Sequence, residues 1–347
     1  MVNAMVQVTE RVSSPRTSVS VRTLVLTGSL VALAAAVLLS IAFGSNRLSL
    51  GEVLHALFAY DGSYNDVVVR DDRLPRTVLG VLVGMALALA GSLMQAITRN
   101  PVAEPGLLGI NHGAAVAIVL GSAVFSVTSP GEYVWFAFAG ALTGTALVSV
   151  IGGTRGATSS LRLVLAGVAI QAVFVGINQG MQMINTHNLE AMRFWLVGSL
   201  VNRNADQLTV LLPFFVAGVV IAIVLARALN ALALGEDTAR GLGANPARVR
   251  VAGMVAVGLL SASATAACGP IAFVGLMIPH VVRSLIGQDE RWVMLISALL
   301  GPVLLLGCDV LGRLLGSPGE IQVGVMTDVV GGIAFVIVAR RLKAVRR

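Results

Sequence analysis

Charge is scarce in this 347-residue sequence: 12% of the residues are charged, 56% are hydrophobic, and the mean hydropathy is +0.88. Soluble domains average about 25% charged and roughly 45–50% apolar residues, so the composition excludes a soluble globular protein. A membrane-spanning helix takes about 20 apolar residues, so ten spans would use roughly 200 and leave only short loops. The composition therefore predicts an all-α polytopic membrane protein.

Cysteine and lysine are almost absent as well. The two cysteines, Cys268 and Cys308, lie inside apolar runs, which indicates neither a disulfide framework nor a cysteine metal site. The formal charge of +7 is carried by arginine, apart from Lys343. Membrane proteins collect positive charge at the cytoplasmic face, and we favour that explanation over nucleic-acid binding, which we do not expect.

Catalytic motifs are missing too. The sequence has no Walker A lysine motif, no HExxH and no GxSxG, and its four histidines show no ligand spacing. We therefore predict no enzyme, no metal site and no cofactor bound directly by this chain.

Long stretches with little or no charge divide the chain. The first, 23–45, exceeds the apolar core of a signal peptide, about 7–15 residues, and we interpret it as a retained span. The others are 77–98, 105–131, 133–154, 163–189, 207–226, 251–282, 292–308 and 321–339. The stretch 251–282 is too long for one helix, and Gly269-Pro270 interrupts it, because proline cannot continue a helix and glycine commonly ends one. Dividing it there gives ten spans.

The distribution of basic residues supports ten crossings. With the amino terminus in the cytoplasm, 17 basic residues lie inside and 7 outside. If the segment after Pro270 did not cross, 11 would lie inside and 13 outside. Since cytoplasmic loops carry the excess of basic residues, we predict that both termini are cytoplasmic. The predicted organisation is a tail at 1–22, a transmembrane domain at 23–341 and a basic tail at 342–347.

An uncharged polar stripe follows one face of the fifth span, at steps of seven, four and three residues. Its members are Gln171, Asn178, Gln182 and Asn185. Buried amides cost free energy in hydrocarbon unless they find partners, so they either line a water-filled path or join neighbouring helices. We favour a path for a large polar solute, because the stripe carries no charge.

Two further features concern packing and docking. Small residues three or four apart in the second span predict close helix packing; they are Gly80, Gly84, Ala88 and Gly91. The longest cytoplasmic loop, 234–248, has the pattern of a short charged helix followed by a Gly/Pro turn. It is either a solvated connector or, as its length favours, a docking surface.

On the outer side, Arg73 and Arg76 lie three residues apart across a proline that can start the second span. They could pair locally with Asp71 and Asp72, or present exposed charges to an acidic partner. The residues alone leave both alternatives open.

Longer motifs run through most of the chain. They are RLPRT at 73–77, MQ at 94–95, NPVAEPGLLG at 100–109, LAGVA at 165–169, FWLVGSL at 194–200, GPIAFVGLMIPH at 269–280, DVLGR at 309–313 and GE at 319–320. Together they resemble the FecCD-type permeases of ATP-binding cassette importers for ferric siderophores, haem and cobalamin. The segments around Arg73 and Phe194 are most similar to permeases of the ferric-enterobactin type.

The resemblance implies the type II importer fold, in which a ten-helix subunit of the bacterial plasma membrane dimerises around a central path. It also implies two cytoplasmic ATPase subunits, which use the ATP, and an extracytoplasmic solute-binding protein. Siderophore permeases of this kind often pair with a paralogue, which we favour here over a homodimer.

The resemblance implies roles for individual residues. Outer-face arginines that meet glutamates of the binding protein correspond to Arg73, Arg76 and Arg313. A cytoplasmic gate before the fifth span corresponds to Thr158, Ser159 and Ser160. The ATPase-coupling helices correspond to 235–248. The coupling residues within that range are Gly235, Glu236, Asp237, Arg240 and Gly243.

The sequence departs from the family pattern at His112, at Asp328 and at 331–333, where Gly-Gly-Ile replaces Gly-Ala-Pro. A carboxylate inside a span costs roughly 2.5–3.5 kcal/mol on insertion scales. We therefore expect Asp328 to face the dimer axis or a partner chain.

We predict the permease subunit of a ferric-siderophore importer, with cobalamin or haem import as the alternative within the family. A secondary transporter driven by protons or sodium is the rival from another class. It would need titratable groups inside spans, where Asp328 is the only clear one, because Asp309 lies near a span end and can pair with Arg313. A membrane-embedded enzyme ranks third.

Overall fold

The computed structural model describes residues 19–44, 48–125, 127, 129–152, 160–184, 195–201 and 205–345. Throughout these residues the regular secondary structure is helical. The helices are α1 (Val19–Ala42), α2 (Leu50–Phe58), α3 (Tyr64–Val67), α4 (Leu74–Thr98), α5 (Ile110–Phe125), α6 (Pro130–Gly152), α7 (Ser160–Ile184), α8 (Ala205–Ala233), α9 (Glu236–Gly241), α10 (Pro246–Cys268), α11 (Val274–Ile286), α12 (Glu290–Leu315) and α13 (Val323–Val345).

Ten of these helical segments match the predicted spans. Seven are long and apolar enough to cross a bilayer, and three shorter apolar helices, at Ile110–Phe125, Val274–Ile286 and Val323–Ile337, complete the set within the described residues. The predicted break at Gly269-Pro270 is confirmed, because α10 ends at Cys268 and α11 begins at Val274. Gly269 has a positive φ of 80° there, which suits glycine.

The second span is longer than its uncharged stretch. A π-helix at Val68–Arg73 joins α3 to α4, so that one continuous helix runs over Tyr64–Thr98. Pro75 lies in the first turn of α4, directly after the π-helix, and its fixed φ suits a helical position. The continuous helix therefore begins before the uncharged stretch 77–98, and its arginines Arg70, Arg73 and Arg76 precede that stretch.

Helix α2 was not predicted. Ser49 and Glu52 form a capping box: the Ser49 hydroxyl accepts the Glu52 N–H at 3.3 Å, and the Glu52 carboxylate accepts the Ser49 N–H at 2.7 Å. Hydrogen bonds from Ser49 hold the pKa of Glu52 below its usual value. Serine followed three residues later by glutamate was a signal for this helix start. The helix packs Val53 and Ala56 against Val69 in a small apolar cluster beside the end of α1.

The core is built around α4, which is buried on nearly all sides and packs against α8, α10, α11 and α12. Its small residues permit these contacts. A Cβ atom at Gly84 would lie 2.6 Å from the backbone of Pro302 in α12, and one at Gly91 would lie 1.9 Å from the Gly275 carbonyl oxygen in α11. The predicted packing role of the small residues is confirmed.

Gly91→Ala should lower the thermal stability of the detergent-solubilised protein, because α11 must move to admit the methyl group. Overpacking of this kind costs about 1–3 kcal/mol. Gly28→Ala is the matched control, since nothing lies within 4 Å of its Cβ position in α1. Equal melting temperatures for the two variants would contradict this packing account.

Candidate translocation and coupling sites

A buried ion-pair cluster lies at one end of the bundle. Arg76 of α4 donates two hydrogen bonds to the Asp309 carboxylate of α12, at 2.7 and 3.1 Å, and a third to Glu320 at 2.8 Å. Arg313 donates to the same Asp309 carboxylate at 2.7 Å and to the carbonyl oxygen of Phe43 at 2.7 Å. Asp309 is 1% exposed, so its charge requires these two guanidinium partners.

Arg73 lies beside this cluster and secures the end of α1. Its guanidinium donates to the carbonyl oxygens of Ile41 and Ala42 at 2.7 and 2.9 Å. These are carbonyls of the last turn of α1, which lack partners within the helix. The Arg73 side chain thus provides hydrogen bonds for the last carbonyl groups of α1 and holds the end of α1 against the start of α4.

The expectation that the three arginines are exposed is wrong. In the single chain Arg73 is 3% exposed, Arg76 is 6% exposed and Arg313 is 3% exposed. Arg76 does not depend on Asp71 and Asp72, because residues 233 and 244 positions away neutralise it. The predicted Asp309–Arg313 pair is present. Docking of a binding protein by these arginines stays a prediction, but it cannot rest on freely exposed charges.

A second network joins helices at the opposite end of α4. Arg283 of α11 pairs with Glu290 of α12 at 2.9 Å, and it also donates to the Gln95 side chain. Gln95 in turn donates to the Leu276 carbonyl oxygen at 3.1 Å. No periodic pattern in the sequence indicates this network, because its members come from three separate helices.

The polar stripe of α7 is turned toward the protein. The Gln171 amide donates to the Gly106 carbonyl oxygen at 2.9 Å. Asn178 is 8% exposed, and its Oδ1 atom is buried without a hydrogen-bond partner. Gln182 is half-buried, whereas Asn185 lies outside the described residues. The Gln171 contact favours helix joining at that position, and a pathway role for the stripe stays a prediction.

The segment before α5 meets the break between α10 and α11. Glu104 accepts the Phe273 N–H at 2.7 Å, where Phe273 has a left-handed φ of 66° at the start of α11. Burial raises the pKa of the Glu104 carboxyl. The hydrogen bond from Phe273 opposes this increase in pKa, and Asp328 on α13 adds a smaller increase. Asp328 itself is exposed in the single chain, which leaves it available to a partner chain or a water-filled path.

The predicted coupling segment forms a short helix followed by a turn. Gly235 precedes α9 with a φ of 116°, and Gly243 follows it with a φ of 81°, conformations that favour glycine. Ala239 is fully buried and anchors the helix, whereas the Asp237 side chain is 99% exposed. Helix α9 is therefore held on one side and presents its acidic start to solvent.

Glu236 links this helix to α10. Its carboxylate accepts hydrogen bonds from Arg250 and, at 3.2 Å, from Arg240. The hydrogen bond from Arg250 lowers the pKa of Glu236, and the charges of Arg240 and Arg99 act in the same direction. Two guanidinium groups therefore contact one carboxylate, and the contact with Arg250 couples the position of α9 to α10.

The predicted cytoplasmic gate lies at the edge of the described structure. Thr158 and Ser159 of the predicted gate lie outside the described residues, and Ser160 begins α7.

One group of possible metal ligands occurs in the described residues, although the sequence predicted none. Ligating atoms of His55, Asp61 and Asp66 lie within 4.8 Å of one another. Asp66 accepts the Asp61 N–H at 2.9 Å and contacts the His55 imidazole at 3.3 Å. These hydrogen bonds account for the arrangement without an ion.

The chain is similar to known proteins over nearly its whole length. The model of the FecCD transport family matches residues 32–341. The chain is 45% identical over 322 residues to the ferric enterobactin transport system permease protein FepD of Escherichia coli (strain K12), covering 92% of this chain and 96% of that protein. It is 39% identical over 303 residues to the Fe(3+)-citrate import system permease protein YfmD of Bacillus subtilis (strain 168), covering 87% and 90%.

A solved structure shows the same fold. The chain superposes with a TM-score of 0.80, at 28% sequence identity, on an inward-facing ABC transporter of the metal-chelate type. The alignment covers 92% of this chain and 99% of that one.

Proposed function

The chain belongs to the FecCD transport family, and from this premise we propose that it carries a ferric siderophore across the bacterial plasma membrane as the permease subunit of an ATP-binding cassette importer. The 45% identity over 92% of the chain to a ferric enterobactin permease carries the proposal. The chain is the transmembrane component, so ATP is hydrolysed by partner subunits. It works with these ATPases and with a solute-binding protein.

The substrate proposal is tested by uptake in cells. Deleting the gene should abolish accumulation of radioactive iron supplied as a ferric siderophore and leave uptake of labelled cobalamin and haem unchanged. Restoring the gene should restore iron uptake. If cobalamin or haem uptake falls and siderophore uptake persists, the alternative cargo within the family is correct.

We propose that the membrane assembly contains a second, paralogous permease, with both termini of this chain in the cytoplasm. The count of 17 basic residues inside against 7 outside supports this orientation. Helix α9 and the turn to Arg248 would then face the ATPase. The segment at 158–160 would form the gate at the same membrane face.

In this proposal, the outer arginines position helix ends and do not contact the binding protein themselves. Because Arg73, Arg76 and Arg313 are buried, we propose that they set the positions of the outer ends of α1, α4 and α12 on which the binding protein docks. Glu320, whose side chain is 27% exposed, is the member of the cluster nearest to solvent.

The pathway proposal for α7 predicts a pattern of chemical labelling. A single cysteine at the half-buried Gln182, in a background without Cys268 and Cys308, should react rapidly with water-soluble thiol reagents. A cysteine at Asn178, which is 8% exposed, should react only when the path opens in the assembled importer. A cysteine at Val173 is the control: that residue is 61% exposed in the single chain, but its apolar surroundings should place it against lipid or a partner chain. Fast labelling at Val173 and none at the amide positions would establish helix joining instead.

A further inference from the structure

An open groove lies between α6 and α10. It has a volume of about 620 Å³, within the roughly 300–1,000 Å³ of ligand sites. Ile97 of α4 and Leu163 of α7 contribute to its lining. The exposed residues Val150, Val251 and Val255 also line it. The groove is thus open to the surroundings of the bundle.

The groove is apolar except at one end. Thr145 and Ser149 are its hydroxyl residues, and both donate to carbonyl oxygens of their own helix, at 2.9 and 2.6 Å. Among the described residues, Arg250 is the only charged one that lines it. Its Nε atom is buried without a hydrogen-bond partner, and its Nη2 atom donates to Glu236. The guanidinium therefore keeps N–H groups that can donate to a further anionic partner.

The dimensions of the groove match one leaflet of a bilayer. From Arg250 to Leu259 the lining of α10 rises about 14 Å, at 1.5 Å per residue. Half of the hydrocarbon core measures about 15 Å. Arg250 lies one turn from the start of α10. The proposed orientation would place it at the headgroup level, with the apolar lining running from there toward the middle of the membrane.

The charge at this end selects the headgroup. Arg240 and Arg250 pair with Glu236, and Arg240 also pairs with Asp237. The charge of Arg99 acts on Glu236 as well, so three positive charges meet two negative ones at the mouth of the groove. Basic pockets between transmembrane helices on the cytoplasmic side bind anionic lipid headgroups. We infer that this groove binds one anionic phospholipid, with its phosphate on Arg250 and an acyl chain along α6 and α10.

Lipid binding can be measured on the assembled importer in vesicles, using spin-labelled phosphatidylglycerol and phosphatidylcholine as probes. Wild-type protein should immobilise phosphatidylglycerol in preference to phosphatidylcholine. Arg250→Gln should reduce that preference about fivefold, as expected for the loss of one basic contact at the membrane surface. Val255→Trp, which fills the groove and leaves Arg250 in place, should reduce immobilisation of phosphatidylglycerol.

Two matched controls define the alternatives. Arg248→Gln removes an exposed arginine at the same end of α10 that does not line the groove, and Val220→Trp enlarges an exposed valine on α8. Neither should change lipid preference. The inference is overturned if wild-type protein shows no preference for phosphatidylglycerol, or if Arg248→Gln reduces it as much as Arg250→Gln. It is also overturned if Val255→Trp has no effect, as would follow if another subunit fills the groove.

Discussion

Replacing Glu236 and Asp237 together with lysine is expected to reduce ATP-driven uptake to background while the permease still inserts in the membrane. Glu236 accepts hydrogen bonds from Arg250 and Arg240, so a lysine there would repel both guanidinium groups and displace α9. Asp237 is fully solvent-exposed, and its reversal would change the charge that the ATPase meets. Uptake into proteoliposomes and copurification of the ATPase subunits measure the two effects separately.

The matched control makes the same change of charge at the other end of the bundle. Asp71 and Asp72 are also adjacent exposed acidic residues, and replacing both with lysine should leave copurification of the ATPase intact. If the Glu236 and Asp237 double variant retains full uptake, α9 is only a solvated connector and the coupling proposal is wrong.

Arg76→Leu is expected to destabilise the protein by about 3–5 kcal/mol, the cost of breaking a buried ion pair by removing one partner. Asp309 would keep Arg313 but lose two hydrogen bonds, and Glu320 would lose its 2.8 Å contact. Denaturation of the detergent-solubilised protein measures the effect. Arg291→Leu is the control, because Arg291 is exposed, and surface substitutions usually stay within about 0.5 kcal/mol.

This experiment also separates the two roles of the arginine cluster. Loss of stability in Arg76→Leu, with slower association of the binding protein as a consequence, agrees with positioning of the outer helix ends. Unchanged stability combined with a large loss of association would show that Arg76 contacts the binding protein directly, as the family resemblance implied.

The spans were predictable because their cause is local. A run of uncharged apolar residues is itself the physical requirement for crossing a bilayer. The pair Gly269-Pro270 ends α10, whereas the single prolines Pro213, Pro279 and Pro302 lie inside helices. The small residues of α4 were interpreted correctly for the same reason: their spacing places them on one face of one helix. Helix α2 was missed, although Ser49 and Glu52 carry a capping signal that a search for apolar runs does not detect.

The contacts of charged side chains were not predictable in this way. In the sequence, Asp71 and Asp72 are the acidic residues near Arg76 and thus its candidate local partners. The actual partners, Asp309 and Glu320, come from α12 and the segment that follows it. Likewise, the spacing of the α7 amides established a shared face but not its direction, which depends on where the Gly106 carbonyl lies. Both the partners of Arg76 and the direction of the α7 amides are set by contacts between residues far apart in the sequence.

Reconstitution with a defined energy source tests the account most directly. Vesicles containing this permease, its partner permease and the ATPase subunits, supplied with the solute-binding protein loaded with ferric siderophore, should accumulate iron only when the ATPase has ATP. A proton or sodium gradient without ATP should drive none. The assignment to an ATP-binding cassette importer would be contradicted if such a gradient drove iron accumulation without ATP and if adding ATP did not change that accumulation.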